Sequence, residues 1–453
     1  MKRLYLLLLM ALAQTNAQNL VFPDANLKAI LLSSSATNLI AMNASDNYIA
    51  IDANHDGEIQ QSEAAQVRYL GLSNYYGNLP MIQSVEGIAQ FTNLRSLNVD
   101  HHNLQALNLN GMSSLQYIDC TFNNLTSVDL GGLFFLQNFD CSHNQLTSLT
   151  LQSFSIYYLG CANNNLTTLN INNLSSLQSL NCTNNQLTAL NLVGSPSIKY
   201  LECGANQLSS LNLSANTQLL SVKCPSNELT SLNITGLSSM YLLDCGYNQL
   251  QSLDFTGTNL QTLACQSNEL TNLDQLTQMT GLYQLNCSDN DITALDFGQS
   301  NLFELSANNN QLTSINIKNG HEETYLSFSG NPNMQYLCCD SAQVAQYQSL
   351  VNFYGYSGCT VDNLCISLDA AAFEPADDRF SLVPNPATDR ITLVAPAGAK
   401  VTKIEIYNTL GQLLMEINGN ISSEIEVSRL TAGNYLMLVQ TVTTNTPIRF
   451  VKR

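Results

Sequence analysis

Two sets of residues have the types and spacing that chemistry uses. In the stretch DANHDGEIQQSE, residues 52–63, side-chain oxygens recur at Asp52, Asn54, Asp56, Glu58, Gln60 and Glu63. Oxygen donors at this density, around a glycine, suit a hard cation of the Ca2+ type, which takes about 6–8 oxygens. The second set is nine cysteines at 120, 141, 161, 182, 203, 224, 245, 265 and 287, in steps of 20 to 22 residues. Disulfides, a metal, catalysis and plain packing are the candidate uses of such a row.

Catalysis finds little support. The histidines are 55, 101, 102, 143 and 321. His101 and His143 share a register two turns apart, which is about 10 Å at strand spacing. That is too far for one metal bound at ~2 Å. No G-x-S-x-G elbow, H-E-x-x-H, phosphate loop or dinucleotide fingerprint is present. The reading is therefore non-enzymatic. With 16 Lys and Arg against 34 Asp and Glu, the net charge is −18. Such a chain repels nucleic acid and anionic membrane surfaces.

The cysteines belong to a longer pattern. Asn stands three residues after each, from Asn123 to Asn290, and Leu or Ile five after, from Leu125 to Ile292. An apolar residue such as Ile118, Leu180 or Leu243 stands two before. The register continues outward with Leu72, Val99, Ala307 and Phe328 in the cysteine slot, making about thirteen turns over residues 67–337. This period and the L-x-L/C-x-x-N-x-L pattern resemble the leucine-rich repeat. The resemblance implies a mainly β fold: a solenoid with a parallel β-sheet on its concave face, small helical caps and a conserved role for each slot. The Asn amide would bond to backbone groups of its own bend and the neighbouring one, with His102 as a weaker substitute. The slot that accepts Leu, Val, Ala and Phe is an inward apolar slot, where cysteine is a small hydrophobe. Strands about 4.8 Å apart hold in-register Cβ atoms slightly beyond disulfide reach, and a line of thiols cannot converge on a tetrahedral metal. The nine are expected to be buried thiols.

Outward positions on the strands read Tyr117, Asn138, Tyr158, Ser179, Tyr200 in one column. The next reads Asp119, Asp140, Gly160, Asn181, Glu202, Lys223, Asp244. Tyrosines beside carboxylates suit partners with planar apolar faces that also carry hydroxyl or cationic groups. Tyr117, Asp119, Asp140, Tyr158, Tyr200, Glu202 and Asp244 are thus the candidate ligand-binding residues, for a protein or a glycan.

Caps close both ends of the solenoid. Residues 18–66 contain the acidic loop, which resembles the calcium loop of EF-hand and dockerin-like modules. The resemblance assigns Asp52, Asn54 and Asp56 as side-chain ligands, Gly57 as the sharp turn, Glu58 as a backbone-carbonyl ligand, Gln60 as the next contact and Glu63 as the bidentate ligand. It departs from a full EF-hand: 38–51 is a poor helix, 22–32 a better one farther upstream, and no second loop exists. A lone structural Ca2+ is expected. Residues 338–365 hold Cys338, Cys339, Cys359 and Cys365, an even set outside the ladder that suggests disulfides. Three pairings are open, vicinal 338–339 the most strained. SAQVAQYQSLVNFYG reads as a helix ended by Gly355.

Met1-Lys2-Arg3, the apolar run Leu4–Ala13 and small residues to Ala17 form a cleavable signal peptide over 1–17, too short to span a bilayer. No later segment is apolar enough to cross one. An acidic, Ala-rich linker, 366–379, leads to 380–453, where short alternating strands separated by Gly411, Asn418-Gly419 and Gly433-Asn434 form a β-sandwich pattern. VPNPATDRI (383–391), IYNTLGQLL (406–414), LTAGNYLMLV (430–439) and the basic end resemble the type A C-terminal sorting domain of the type IX secretion system of Bacteroidota. That implies handling by its translocon and sortase, and a mature protein attached to surface lipopolysaccharide or released. The chain thus reads as an exported adhesin or recognition module. A structural spacer at the cell surface and an accessory glycan binder for polysaccharide degradation are the alternatives.

Overall fold

The computed structural model describes residues 18–151, 153, 155–365, 380–395, 399–408, 412–419, 421–441 and 445–453. The expected signal peptide and linker lie outside the described residues. The chain forms two compact units, one of residues up to Asp291 with 300–308 and 323–328, the other of 292–299, 309–322 and 329–453.

The first unit is built on a fourteen-stranded sheet. It opens with Ala41–Asn43, antiparallel to Val67–Gly71. Every later strand is parallel to the one before, as in Tyr117–Asp119, Asn138–Asp140 and Tyr158–Gly160, ending at Tyr325–Ser327. Pairing is strictly in register: Tyr158 faces Ser179, which faces Tyr200, which faces Ser221. Beyond Val67–Gly71 the parallel strands are three residues long, typically around one buried apolar centre, as Leu180 in 179–181 and Leu201 in 200–202. Its two neighbours point outward, following the two-residue period of a strand. The cysteine slot comes next and turns inward. All nine ladder cysteines are fully buried thiols.

After the slot the chain bends. The residue two beyond it adopts a left-handed backbone in turn after turn, φ 52° at Phe122, 54° at Asn163, 55° at Asn184 and 50° at Ala205. The Asn that follows holds this bend. Asn185 Nδ2 donates to the carbonyls of Cys161 of the preceding turn (3.0 Å) and Cys182 of its own (3.1 Å), and its Oδ1 accepts from Leu166 N–H (3.0 Å). The same bonds recur at Asn144, Asn206, Asn227, Asn248, Asn268 and Asn290. Buried backbone groups that no regular structure satisfies are thereby paired. His102 does substitute: its Nε2 lies 2.6 Å from Leu72 O and its Nδ1 accepts from Ile82 N–H at 3.2 Å.

At the front of this unit, Ala25–Leu32 is a helix, capped by the Asp24 carboxylate on Asn26 and Leu27 N–H. Residues 38–51 form a strand and hairpin rather than a helix, with Met42 bridged to Tyr48.

The second unit holds a second parallel sheet that the repeat pattern does not announce: Ala294–Asp296, Ser314–Asn316, Tyr336–Cys338 and Thr360–Asp362. A smaller parallel pair, Ala106–Asn108 with Ser127–Asp129, forms in the first unit. The helix Val344–Phe353 sits where expected, with Gly355 at φ 79° just beyond it. Residues 380–453 form two antiparallel sheets of three and four strands around a core of Ile391, Ile404, Ile406, Val427, Met437 and Phe450. Gly433-Asn434 is not a turn. Both begin the strand Gly433–Thr441, opposite Lys452 and Val451 of the last strand, because the paired final strand extends that far.

Candidate functional site

The long sheet gathers all seven candidate binding residues on one face. Tyr117, Tyr158 and Tyr200 fall in one pairing column, and Asp119, Asp140, Glu202 and Asp244 in the next. Tyr117 and Tyr200 are 39% and 43% exposed, which no core-packing role requires. Tyr158 is half-buried and donates its hydroxyl to Asp140 Oδ2 at 2.9 Å. Burial, and then the Asp140 carboxylate, pushes that phenol up. Asp140 leans over a turn that has no side chain: a Cβ on Gly160 would lie 2.6 Å from its carboxylate. Asp119 accepts from Thr121 N–H and Oγ1, yet burial, with Asp100 and Asp140 nearby, raises its carboxyl. Burial does the same to Asp244. Glu202 is occupied by an ion pair with Lys223 at 2.8 Å.

More exposed rings lie along the sheet than the two columns contain. Tyr157, Tyr241 and Tyr283 precede their strands by one place and are exposed, and Tyr325 extends the tyrosine column. Tyr283 stacks on Phe303 at 5.0 Å between centroids. At the far end of the strands, His101, Phe122 and His143 form a continuous stack, 4.4 Å and 4.0 Å apart. The histidines two turns apart are thus separated by a ring, not by open space. The signal for Phe122 was its slot, two places after Cys120, the same as that of His143 after Cys141.

The acidic loop closes on itself. Asp52 accepts from Asp56 and Gly57 N–H (3.2 and 3.0 Å), and Gly57 takes a left-handed φ of 79°. Glu63 Oε1 accepts from Ala53 N–H at 2.9 Å and Oε2 from Gln60 N–H at 2.9 Å. Gln60 Nε2 and Asn54 Nδ2 both donate to Asp56, and Lys28 pairs with Glu58 at 2.8 Å. Bonding to Glu58 N–H, with Gln60 and Asn54, lowers the Asp56 carboxyl. Ile59 is fully buried and its carbonyl accepts from Leu20 N–H, which ties the loop to the chain's start. Among the described residues, no three Asp, Glu, His or Cys side chains gather around one point. The donor set itself fits calcium: three carboxylates, two amides and a carbonyl, all hard oxygens on one loop.

In the cap, Cys338 and Cys365 form a disulfide. Cys339 and Cys359 stay buried thiols, so the even set yields one bridge rather than two.

In the tail, each motif has a structural job. Asn385 Oδ1 accepts from Val451 N–H (2.8 Å) and its Nδ2 donates to Arg449 O (2.9 Å), covering the outer edge of the last strand. Ala387 continues that cover by bonding to Val451 and Arg453. Gln412 N–H donates to Asn408 Oδ1 at 2.9 Å. Tyr435 reaches back to the Thr431 carbonyl at 2.7 Å, a corner also seen in other sandwiches.

Residues 381–453 match the family described as the secretion system C-terminal sorting domain. No curated protein matches the chain in sequence. Among solved structures, the functional domain of InlJ from Listeria monocytogenes, which includes a cysteine ladder, aligns with a TM-score of 0.59 at 20% identity, over 97% of this chain and 99% of that one. An internalin (inlF) of the same organism aligns at a TM-score of 0.47 and 20% identity, over 70% of this chain and 95% of that one. YopM, a leucine-rich effector protein from Yersinia pestis, aligns at 0.48 and 25% identity, over 60% of this chain and 77% of that one. The likeness to the InlJ domain carries the fold: this is a mainly β leucine-rich repeat solenoid followed by antiparallel sheets, and its tail marks it for export by type IX secretion. Among the described residues no helix is long and apolar enough to cross a membrane.

Proposed function

We propose that the chain is a non-enzymatic binding protein of the cell exterior that takes a protein or glycan on the open face of its long sheet. The observation that carries this reading is the exposure of Tyr117 and Tyr200 in one pairing column of the long sheet. Exposed rings on a rigid sheet supply contact area with little entropy to lose. The sorting tail supports delivery to the outer surface, followed by removal of the tail and either attachment to lipopolysaccharide or release. A binding screen tests it. The purified chain would face a glycan array and a panel of surface proteins, beside a Tyr117/Tyr158/Tyr200→Ala variant. A ligand bound by the wild type and lost at least tenfold by the variant supports the reading. A ligand that the variant keeps, or none, moves the role to a surface spacer.

The acidic loop is proposed to hold one structural Ca2+ through Asp52, Asn54, Asp56, the Glu58 carbonyl, Gln60 and Glu63. The ion would neutralise carboxylates that now lean on backbone N–H groups, and so stiffen the cap. Calcium at about a hundred times its Kd stabilises the folded state by ~2.7 kcal/mol. The thermal midpoint should therefore rise with calcium in the wild type and stay put in Asp52→Ala and Glu63→Ala, each compared with and without the ion. Equal responses would sink the site.

A further inference from the structure

Phe122 is in an unusual position for its type. Its backbone is left-handed, at φ 52°, and its ring is 45% exposed. A bulky side chain is strained in that backbone region, and a ring this exposed gives little packing to the core in return. Other turns fill this slot with Asn163, Asn184, Ala205 or Ser226; Tyr247 also stands there, exposed, but between Ser226 and Ser267 rather than beside other rings. The ring instead extends a surface row: Tyr75 meets His101 edge-on at 5.1 Å, His101 stacks on Phe122, and Phe122 on His143. Tyr75 and Tyr76 are 66% and 82% exposed. A contiguous exposed row of this kind marks an interaction surface.

Charge says what that surface suits. Asp119 and Asp140 pair in the column between this row and the tyrosine column, and Asp100, two places beyond Asn98 of the preceding turn, adds a third carboxylate near Asp119. The three turns, 96–101, 117–122 and 138–143, carry no lysine or arginine. Asp119 and Asp140 stand in one pairing column, a ~4.8 Å turn apart, and among the described residues no three acidic side chains converge as around a metal ion. Neighbouring carboxylates walled by rings suit cationic side chains rather than a point ion. Guanidinium groups pair with carboxylates and also lie against aromatic faces.

We propose that this end of the sheet, from Tyr75 to Tyr158, docks a basic, arginine-bearing segment of a protein partner, with Asp119 and Asp140 as counter-charges and Tyr117, Phe122 and His143 as its walls. The proposal rests on the binding-face reading above and narrows it to one partner chemistry and one end of the face.

The test is fluorescence anisotropy of the full chain with three labelled twelve-residue Gly/Ser peptides, carrying four arginines, four citrullines or four glutamates. The arginine peptide should bind, and bind more weakly as salt rises. The citrulline and glutamate peptides should bind at least about tenfold more weakly. Asp119→Asn/Asp140→Asn should loosen the arginine peptide about tenfold, and Phe122→Asn/His143→Asn about threefold to tenfold. Asparagine already occupies that slot at 163 and 184, so the second variant keeps the fold, and thermal melts check both. Glu228→Gln, an exposed carboxylate outside the strands of a later turn, should bind as the wild type. Equal binding of arginine and citrulline peptides, no binding of the arginine peptide, or variants that bind unchanged would overturn the proposal. If the arginine peptide fails while the screen still yields a ligand lost in the tyrosine variant, the chemistry assigned to the partner falls and the binding face stands.

Discussion

His102 replaces the asparagine of later turns with a group that titrates. Its neutral ring accepts Ile82 N–H on Nδ1 and faces Leu72 O with Nε2. A second proton would put an N–H against an N–H. Burial, the main cause, holds its pKa below the usual 6.5. The unfolded chain therefore takes up the proton first. Nothing is lost above the ordinary histidine range, and stability falls as pH drops through it towards the folded value. Urea midpoints at pH 7.5 and 5.5 should fall further for the wild type than for His102→Asn. The variant keeps both kinds of bond and should lie within about 1 kcal/mol of the wild type at pH 7.5. Equal slopes would remove His102 from the account. His102 was legible as an asparagine substitute because the repeat fixes its slot. The role of Phe122 was not, since the slot reveals a column but neither the left-handed backbone nor the stacking of rings along it.

Among the elements, the cysteine ladder shows how a repeat imposes one environment on many residues. Each thiol is enclosed by the turns on either side, and Cys120 and Cys141 lie 3.4 Å from the carbonyls of Asp140 and Gly160. Burial pushes Cys182, Cys224 and Cys287 up to about 12 and raises the other six well above the ordinary thiol value. The thiolate, the reactive form, is thus absent near neutral pH. A thiol reagent should label none of the nine in the folded chain and all of them in denaturant, and Cys203→Ala should cost about 1–2 kcal/mol. Rapid labelling of the native ladder would refute the packing account. Tolerance of the slot for Leu, Val, Ala and Phe made this legible. The second parallel sheet was not: return segments such as 189–191 (Ala-Leu-Asn) and Ser314–Asn316 have similar sequences, yet only the latter pairs as a strand. The choice is made by neighbouring turns, which local sequence does not encode. The single bridge in the cap was hidden for the same reason, because four cysteines leave the pairing to three-dimensional proximity.

For the whole chain, the sorting tail has its own core and its own edge protection, in Asn385 and Ala387 along the last strand. A segment that folds around its own apolar centre can act as a separable address. Deleting 380–453 should leave the protein inside the cell envelope, read by fractionation and by protease applied to intact cells. Normal display at the surface would refute the assignment. The repeats and the sorting tail were legible, because a repeat and three terminal motifs each carry their own local pattern.

In-register pairing has one more consequence. Tyr158, Ser179, Tyr200 and Ser221 follow one another with no shift, and each asparagine makes the same bonds to the turn before it. Any turn is therefore a fitting neighbour for almost any other. Duplication or loss of one 20- to 22-residue unit in the gene changes the protein's length without changing its joints, so the length of the solenoid can evolve in whole steps while the fold stays the same.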